Sequence, residues 1–155
     1  MAVKRIITNE PGWVSIIKPA DTNRTSDTTL SDDPHMLFPM EANSAYFIDM
    51  FINLYVRANP DFKYAISVPS GGFFRSMQRI VAQNTTITQD IITSVPGSTA
   101  LTTTVDNYGF IRITGPYTNG ANTGNWAFQW AQNTTDGTNA ATVVQGSMIR
   151  YFRLN

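Results

Sequence analysis

The alternation in AYFIDMFINLYV, residues 45–56, constrains this chain more than any other feature. Its even positions, Tyr46, Ile48, Met50, Ile52, Leu54 and Val56, are all large and apolar, whereas the odd ones include Asp49 and Asn53. Side chains of an extended backbone point alternately to opposite faces, so a period of two describes a strand with one buried face. FKYAISVPSG repeats the rhythm, with Tyr64, Ile66 and Val68 set against Lys63, Ala65 and Ser67. Asn59 and Pro60 lie between the two segments as turn residues, which predicts a hairpin. FFRSMQRIVAQ, TITQDIITS, STALTTTVDN, GFIRITG, NWAFQWAQN and ATVVQGSMIRYFRL are also of strand length and rich in β-branched or aromatic residues. Turn signals separate them at Gly71-Gly72, Pro96-Gly97, Asn107 and Gly109, Gly115-Pro116, Asn119-Gly120 and Asp136-Gly137. They recur roughly every ten residues, the spacing of a sandwich or barrel.

A helical reading fails on three consecutive threonines at 102–104, on eight prolines, and on the lack of an apolar i, i+3, i+4, i+7 stripe; FFRSMQRIVAQN is the one segment where a short helix competes, and a strand is favoured there. No segment repeats at a fixed period, so a solenoid is not expected. The expected class is all-β, an antiparallel sandwich in one domain over residues 36–155. Residues 1–35 differ in character. KPADTNRTSDTTLSDDPH is polar, and ahead of it Ile6-Ile7 and Trp13 to Ile17 are short apolar pieces broken by Pro11-Gly12. They are expected to form an extended N-terminal arm, mobile or docked on a partner, that carries small strands.

Charged residues are only 14 % of the chain, against roughly 25 % in ordinary domains, so Thr, Asn, Ser and Gln must cover most of the surface. Eleven basic residues balance eleven acidic ones, and no overall positive field exists to hold nucleic acid or an anionic membrane. Cysteine is absent, which removes disulfides and thiolate chemistry. No continuous apolar centre of a signal peptide is present near the N-terminus, and no window approaches the roughly eighteen apolar residues of a membrane span. A soluble protein is expected.

Chemistry-bearing patterns are few. His35 is the single histidine. Asp32, Asp33 and His35 in SDDPHMLF fall short of a zinc or calcium ligand set, and a turn at Asp33-Pro34, with the strand beginning at Met36, is the expected alternative. Glu10, Glu41, Asp49, Asp61, Asp90 and Asp106 are the acids that a hydrolase would have to pair, and sequence does not pair them. Gly71-Gly72 lacks the lysine and following helix of a phosphate loop. No catalytic residue, metal or cofactor is expected. Trp126, Phe128 and Trp130 share one face of one strand, either as a stacking platform or, as expected here, as the inner face of the sandwich. Arg150 and Arg153, beside Tyr151 and Phe152, are expected at an interface or in surface ion pairs.

WAQNTTDGTNAATVVQGSMIRYFRL resembles a C-terminal pattern of tailed-bacteriophage structural proteins: W-x-Q-N-(T/S), a Thr-rich loop, T-V-(V/L)-x-G-S and a final strand. DTNRTSDTTLSDDPHMLFPMEANSAYFIDMFI and PDFKYAISVPSG resemble its companion half, in the same order; the segment from about Phe73 to Thr123 departs from the pattern. The resemblance implies a non-enzymatic virion component with a jelly-roll-like β-sandwich that forms a homotrimer. At this size it implies a head decoration, or cement, protein on the capsid exterior, assembled in the host cytoplasm and bound across neighbouring major capsid proteins. On that reading the arm supplies Ile6, Ile7, Trp13, Ile16 and Ile17 as anchors on a neighbour, and removing residues 1–17 should leave the sandwich folded. The rivals are a tail or fibre module that binds a host-surface glycan, and a carbohydrate-active enzyme.

Overall fold

The computed structural model describes residues 5–7, 12–82, 88–92 and 97–155. Among them are fourteen strands and no helix: β1 (Arg5–Ile7), β2 (Val14–Ile17), β3 (Thr22–Arg24), β4 (Ser31–Met40), β5 (Ala45–Val56), β6 (Phe62–Ser67), β7 (Phe73–Phe74), β8 (Ser76–Ala82), β9 (Thr88–Ile92), β10 (Thr99–Leu101), β11 (Asn107–Thr118), β12 (Gly124–Ala131), β13 (Ala141–Val143) and β14 (Met148–Arg153). They form two antiparallel sheets. The larger has ten strands, seven of them along the path β1-β2-β14-β5-β11-β8-β9 with β13 paired to β5 and β3 and with β7 paired to β11, and the smaller has the order β10-β6-β12-β4. If β2, β4, β5, β6, β10, β11, β12 and β14 are counted one to eight, the sheets contain the orders 1-8-3-6 and 5-4-7-2. That is the winding of a jelly roll, two Greek keys folded into a sandwich.

The period of two explains where the core sits. Ile48, Met50, Ile52 and Leu54 of β5, with Ile111 and Ile113 of β11, turn inward from the large sheet and are at most 1 % exposed. Phe38, Phe62, Tyr64, Trp126, Phe128 and Trp130 close on them from the small sheet and are fully buried. Tyr151 of β14 lies flat on Phe38 across the sandwich, with ring centroids 3.8 Å apart. Aromatic bodies of this size dominate core energetics. Trp126, Phe128 and Trp130 therefore line the inner face, as their alternation with Ala127, Gln129 and Ala131 suggests.

Four expectations are corrected. β5 and β6 are not a hairpin: they belong to opposite sheets, and the chain crosses the sandwich edge at residues 57–61. Two strands whose buried faces must meet one core can lie on opposite sides of it, and sequence alternation alone does not separate that from pairing. The turn signals at Gly109 and at Gly115-Pro116 lie inside β11, which runs unbroken opposite β5. Gly115 has φ +147°, and a Cβ there would sit 2.7 Å from the Arg75 carbonyl, so glycine admits the close approach of the neighbouring β7–β8 segment. Pro116 falls at the break between β7 and β8, where it needs no N–H, and its carbonyl accepts from Arg75 N at 3.2 Å.

The other two corrections concern the N-terminal third. The Asp33-Pro34-His35 segment is inside β4, not a turn before Met36. It forms an irregularity in the pairing with β12, whose register jumps between Leu37↔Ala127 and Asp32↔Gln129. Residues 14–35 are not a detached arm. β2 inserts between β1 and β14, β3 pairs β13, and Ile16 is 1 % exposed within the chain's own core. The short apolar pieces thus serve as sheet strands. Of residues 1–11, only β1 lies within the described residues, paired to β2 through Ile6↔Ile16 and Ile7↔Ser15.

Candidate functional site

The outer face of the large sheet does not have the polar character that one-sided alternation implies. The odd residues of β5 that point away from the core include Phe47, Phe51 and Tyr55, all half-buried, beside Asp49 and Asn53. Neighbouring strands answer in kind. Phe152 of β14 stands directly opposite Phe47 and stacks on it at 5.7 Å. Trp13, just before β2, meets the Phe152 ring edge-on at 4.6 Å. Phe110 of β11 stacks on Phe51 at 5.0 Å, and Tyr108 packs on its cross-strand partner Tyr55 at 4.9 Å. Cross-strand aromatic pairs hold one another in place on a sheet, so the face is an ordered surface. Tyr108 is 68 % exposed and Met77 of β8 is 45 % exposed.

Arginines are set into this apolar field. The Asp49 carboxylate accepts from Arg112 Nε at 3.0 Å and from Arg150 Nη2 at 3.1 Å, which leaves it 7 % exposed although it lies on the outer side. Arg150 also lies over the Trp13 ring, 4.9 Å from its centroid. Arg79 of β8 is exposed and directly opposite Arg112 across the β8–β11 pairing. A shallow pocket of about 200 Å³ opens among Phe51, Met77, Arg79, Phe110, Arg112 and Thr114. At the rim Arg153 pairs with Glu41 at 2.5 Å, and Arg57 pairs with Asp106 at 2.7 Å.

Of the residues singled out in the sequence, Trp13 and Arg150 come together on this face, and Arg153 sits at its edge in a surface ion pair. Ile16 points into the core and Ile17 is half-buried. The side chains of Ile6 and Ile7 lie outside the described residues, as do Glu10 and the side chain of Asp90. Asp61 accepts from Thr103 N at 3.0 Å, so Asp61, Asp106 and Glu41 are held in loop or rim contacts. Phe47, Phe51, Tyr55, Tyr108, Phe110, Arg79 and Arg112 were not anticipated. The available signal was the odd register of AYFIDMFINLYV: three of its six odd positions are aromatic, so both faces of that strand are apolar.

Asp32, Asp33 and His35 are not brought together as a ligand set. The Asp32 side chain accepts from Gln129 Nε2 at 2.8 Å, while Asp33 turns inward and is fully buried. Asp33 accepts from Lys18 Nζ at 2.8 and 2.7 Å, from Trp130 Nε1 at 3.1 Å and from His35 N at 3.0 Å. Lys18 is fully buried as well and also donates to Thr22 Oγ1 at 2.7 Å. Burial lowers the Lys18 pKa, and the hydrogen bond and charge of Asp33 oppose that shift. Arg24 completes the cluster, its guanidinium 4.2 Å from the Trp130 ring centroid and donating to the Trp130 carbonyl. Every polar group in this cluster is engaged with another. It ties the β2–β3 segment to β4 and β12, a structural clamp between the two sheets.

The outer face has the composition of an interface centre. Trp, Phe, Tyr, Met and Arg are the residues enriched in the centres of protein interfaces, and an exposed apolar patch rimmed by polar groups marks an interaction site. In comparison with known proteins, no protein-family model matches this chain and no curated protein matches it.

Proposed function

We propose that the chain is a non-enzymatic virion structural protein of a tailed bacteriophage, a head decoration protein that docks the outer face of its large sheet onto neighbouring major capsid proteins. The observation that carries the reading is that face, with its ordered aromatic pairs and embedded arginines on a chain otherwise covered by small polar residues. Two further features support it. The motifs in residues 21–52, 60–71 and 130–154 resemble phage structural proteins, and the jelly-roll winding is one that viral capsid domains use. Fold alone does not assign function, so the face bears the argument.

Cementing is a binding function: contact area spread over adjacent shell subunits raises the work needed to separate them against internal DNA pressure. The neutral chain packs in many copies without like-charge repulsion. On this reading the assembly is a homotrimer on the capsid exterior. The glycan-binding alternative drew on Trp126 and Trp130 as a platform, and both are buried. Cryo-electron microscopy of the purified particle tests the proposal. Density at local threefold positions across the shell, with Trp13, Phe110 and Tyr108 at the contact, is the expected result. A few copies confined to the tail would overturn it.

A further inference from the structure

We infer that Arg79 and Arg112, with Phe51 and Phe110 beside them in the same pocket, form a seat for a carboxylate from a protein partner, so that the partner of this face carries an Asp or Glu side chain at the centre of an apolar contact. The inference rests on the reading of the outer face as a docking surface and specifies the chemistry of what docks.

Arg79 and Arg112 are directly opposed in the antiparallel β8–β11 pair, on the same side of the sheet. Such positions bring Cβ atoms to roughly 5 Å, and like charges placed there repel. A sequence retaining two arginines at this spacing carries a standing conflict that one shared anion resolves. Arg112 is already oriented by Asp49, at 3.0 and 3.4 Å, so its free edge is held in position. Arg79 has no carboxylate partner among the described residues. Across β8–β9 the register sets Arg79 opposite Gln89 and Met77 opposite Ile91, both uncharged, while Asp90 is opposite Gln78. Among the described residues, Arg79, Arg112 and Arg150 stand against Asp49 alone at the centre of the face, an excess of two positive charges on a chain that is neutral as a whole.

That excess identifies the occupant. A second copy docking through the same face would set arginines against arginines, which opposes it. Nucleic acid is recognised through many phosphate contacts along a basic track, whereas this is one pair of arginines set among aromatic rings. The pocket, about 200 Å³, is below the roughly 300 Å³ at which sites for drug-sized molecules begin, and suits a single side chain. A planar guanidinium matches a carboxylate bidentately, and the stacked Phe51–Phe110 rings supply apolar surface for the methylene stem of that side chain.

The test uses the full-length chain and sodium benzoate, a carboxylate on an apolar body, with NMR detection of the arginine Nε–H and the β8 and β11 amide signals at constant ionic strength. Benzoate is expected to move the Arg79 and Arg112 signals saturably, whereas benzamide, its neutral isostere, leaves them in place. Arg79→Gln should weaken benzoate binding about tenfold or more, the loss expected for one charge-assisted contact, with the rest of the amide spectrum unchanged to show that the fold is intact. Equal shifts with benzamide, no saturation, or undiminished binding by Arg79→Gln would overturn the seat. Tighter binding of inorganic phosphate than of benzoate would overturn the assignment to a carboxylate. Failure here leaves the virion placement standing, since that is decided on the particle; absence from the shell with the titration intact would remove the placement and keep the seat.

Discussion

Replacing Lys18 by Met removes one charge from the buried clamp while keeping most of the stem's volume. Asp33 would then be a fully buried carboxylate with Trp130 Nε1 and His35 N as its remaining donors, at 3.1 and 3.0 Å. Breaking a buried pair from one side costs about 3–5 kcal/mol, because the surviving charge stays desolvated without its partner. Domains of this kind are stable by roughly 5–15 kcal/mol, so the single change removes a large share. Asp33→Leu should cost a similar amount by stranding Lys18, whose Nζ would keep only Thr22 Oγ1 at 2.7 Å and His35 Nδ1 at 3.4 Å. The double variant, Lys18→Met with Asp33→Leu, leaves no unpaired charge. Its main debt is the Trp130 Nε1 donor without an acceptor, about 1–3 kcal/mol. The two single losses sum to roughly 6–10 kcal/mol, so the double-mutant cycle should return a coupling of at least about 3 kcal/mol. Equilibrium unfolding in guanidinium chloride at neutral pH measures all four corners. A Lys18→Met loss below about 1 kcal/mol, or additive single losses, would refute the assignment of the cluster as the clamp between sheets.

The remaining predictions address other parts of the molecule. Gly115→Ala should destabilise by on the order of 3 kcal/mol, since its Cβ would sit 2.7 Å from the Arg75 carbonyl and 2.8 Å from Ser76 Cα at a φ of +147°; an unchanged denaturation midpoint would contradict this packing. Removal of residues 1–17 strips β2 from β14 and takes the buried Ile16 out of the core, so the truncated chain should lose more than about 3 kcal/mol, and wild-type stability would show that β2 does not carry that weight. Burial raises the pKa of Tyr117, and burial followed by the neighbouring Tyr46 raises that of Tyr151. The folded state therefore holds these protons after the unfolded chain has released them, and stability should be full below pH 10.0 and fall as pH rises from there toward the folded values. Tyr117→Phe should flatten part of that decline in unfolding measurements across the window. Tyr108→Ser combined with Met77→Ser, at positions 68 % and 45 % exposed, should shift unfolding by no more than about 1 kcal/mol while lowering retention on purified shells; retention equal to wild type would remove the outer face from the contact.

The sequence by itself determined the class of fold, because the period of two in Ala45–Val56 and in Asn125–Ala131 is a property of the local backbone, independent of what the strand packs against. It also determined the inner face, since Trp126, Phe128 and Trp130 recur at that period between small residues. Which strand neighbours which was decided only in three dimensions. β5 and β6 have compatible patterns as a hairpin or as opposite walls, and the jelly-roll winding chooses the second. β11 runs through two glycines and a proline because long-range partners offset their local preference for turns. Lys18 and Asp33 are fifteen positions apart and look like surface residues in the sequence. The fold buries both, and makes that tolerable by pairing them. The candidate site belongs to the tertiary structure for the same reason. Trp13, Phe47, Phe110, Arg112 and Arg150 come from three strands and a connecting segment, and only sheet register places them on one face. A chain can show in its own sequence that a strand has two apolar sides; what covers the second side depends on neighbours that sequence order does not reveal.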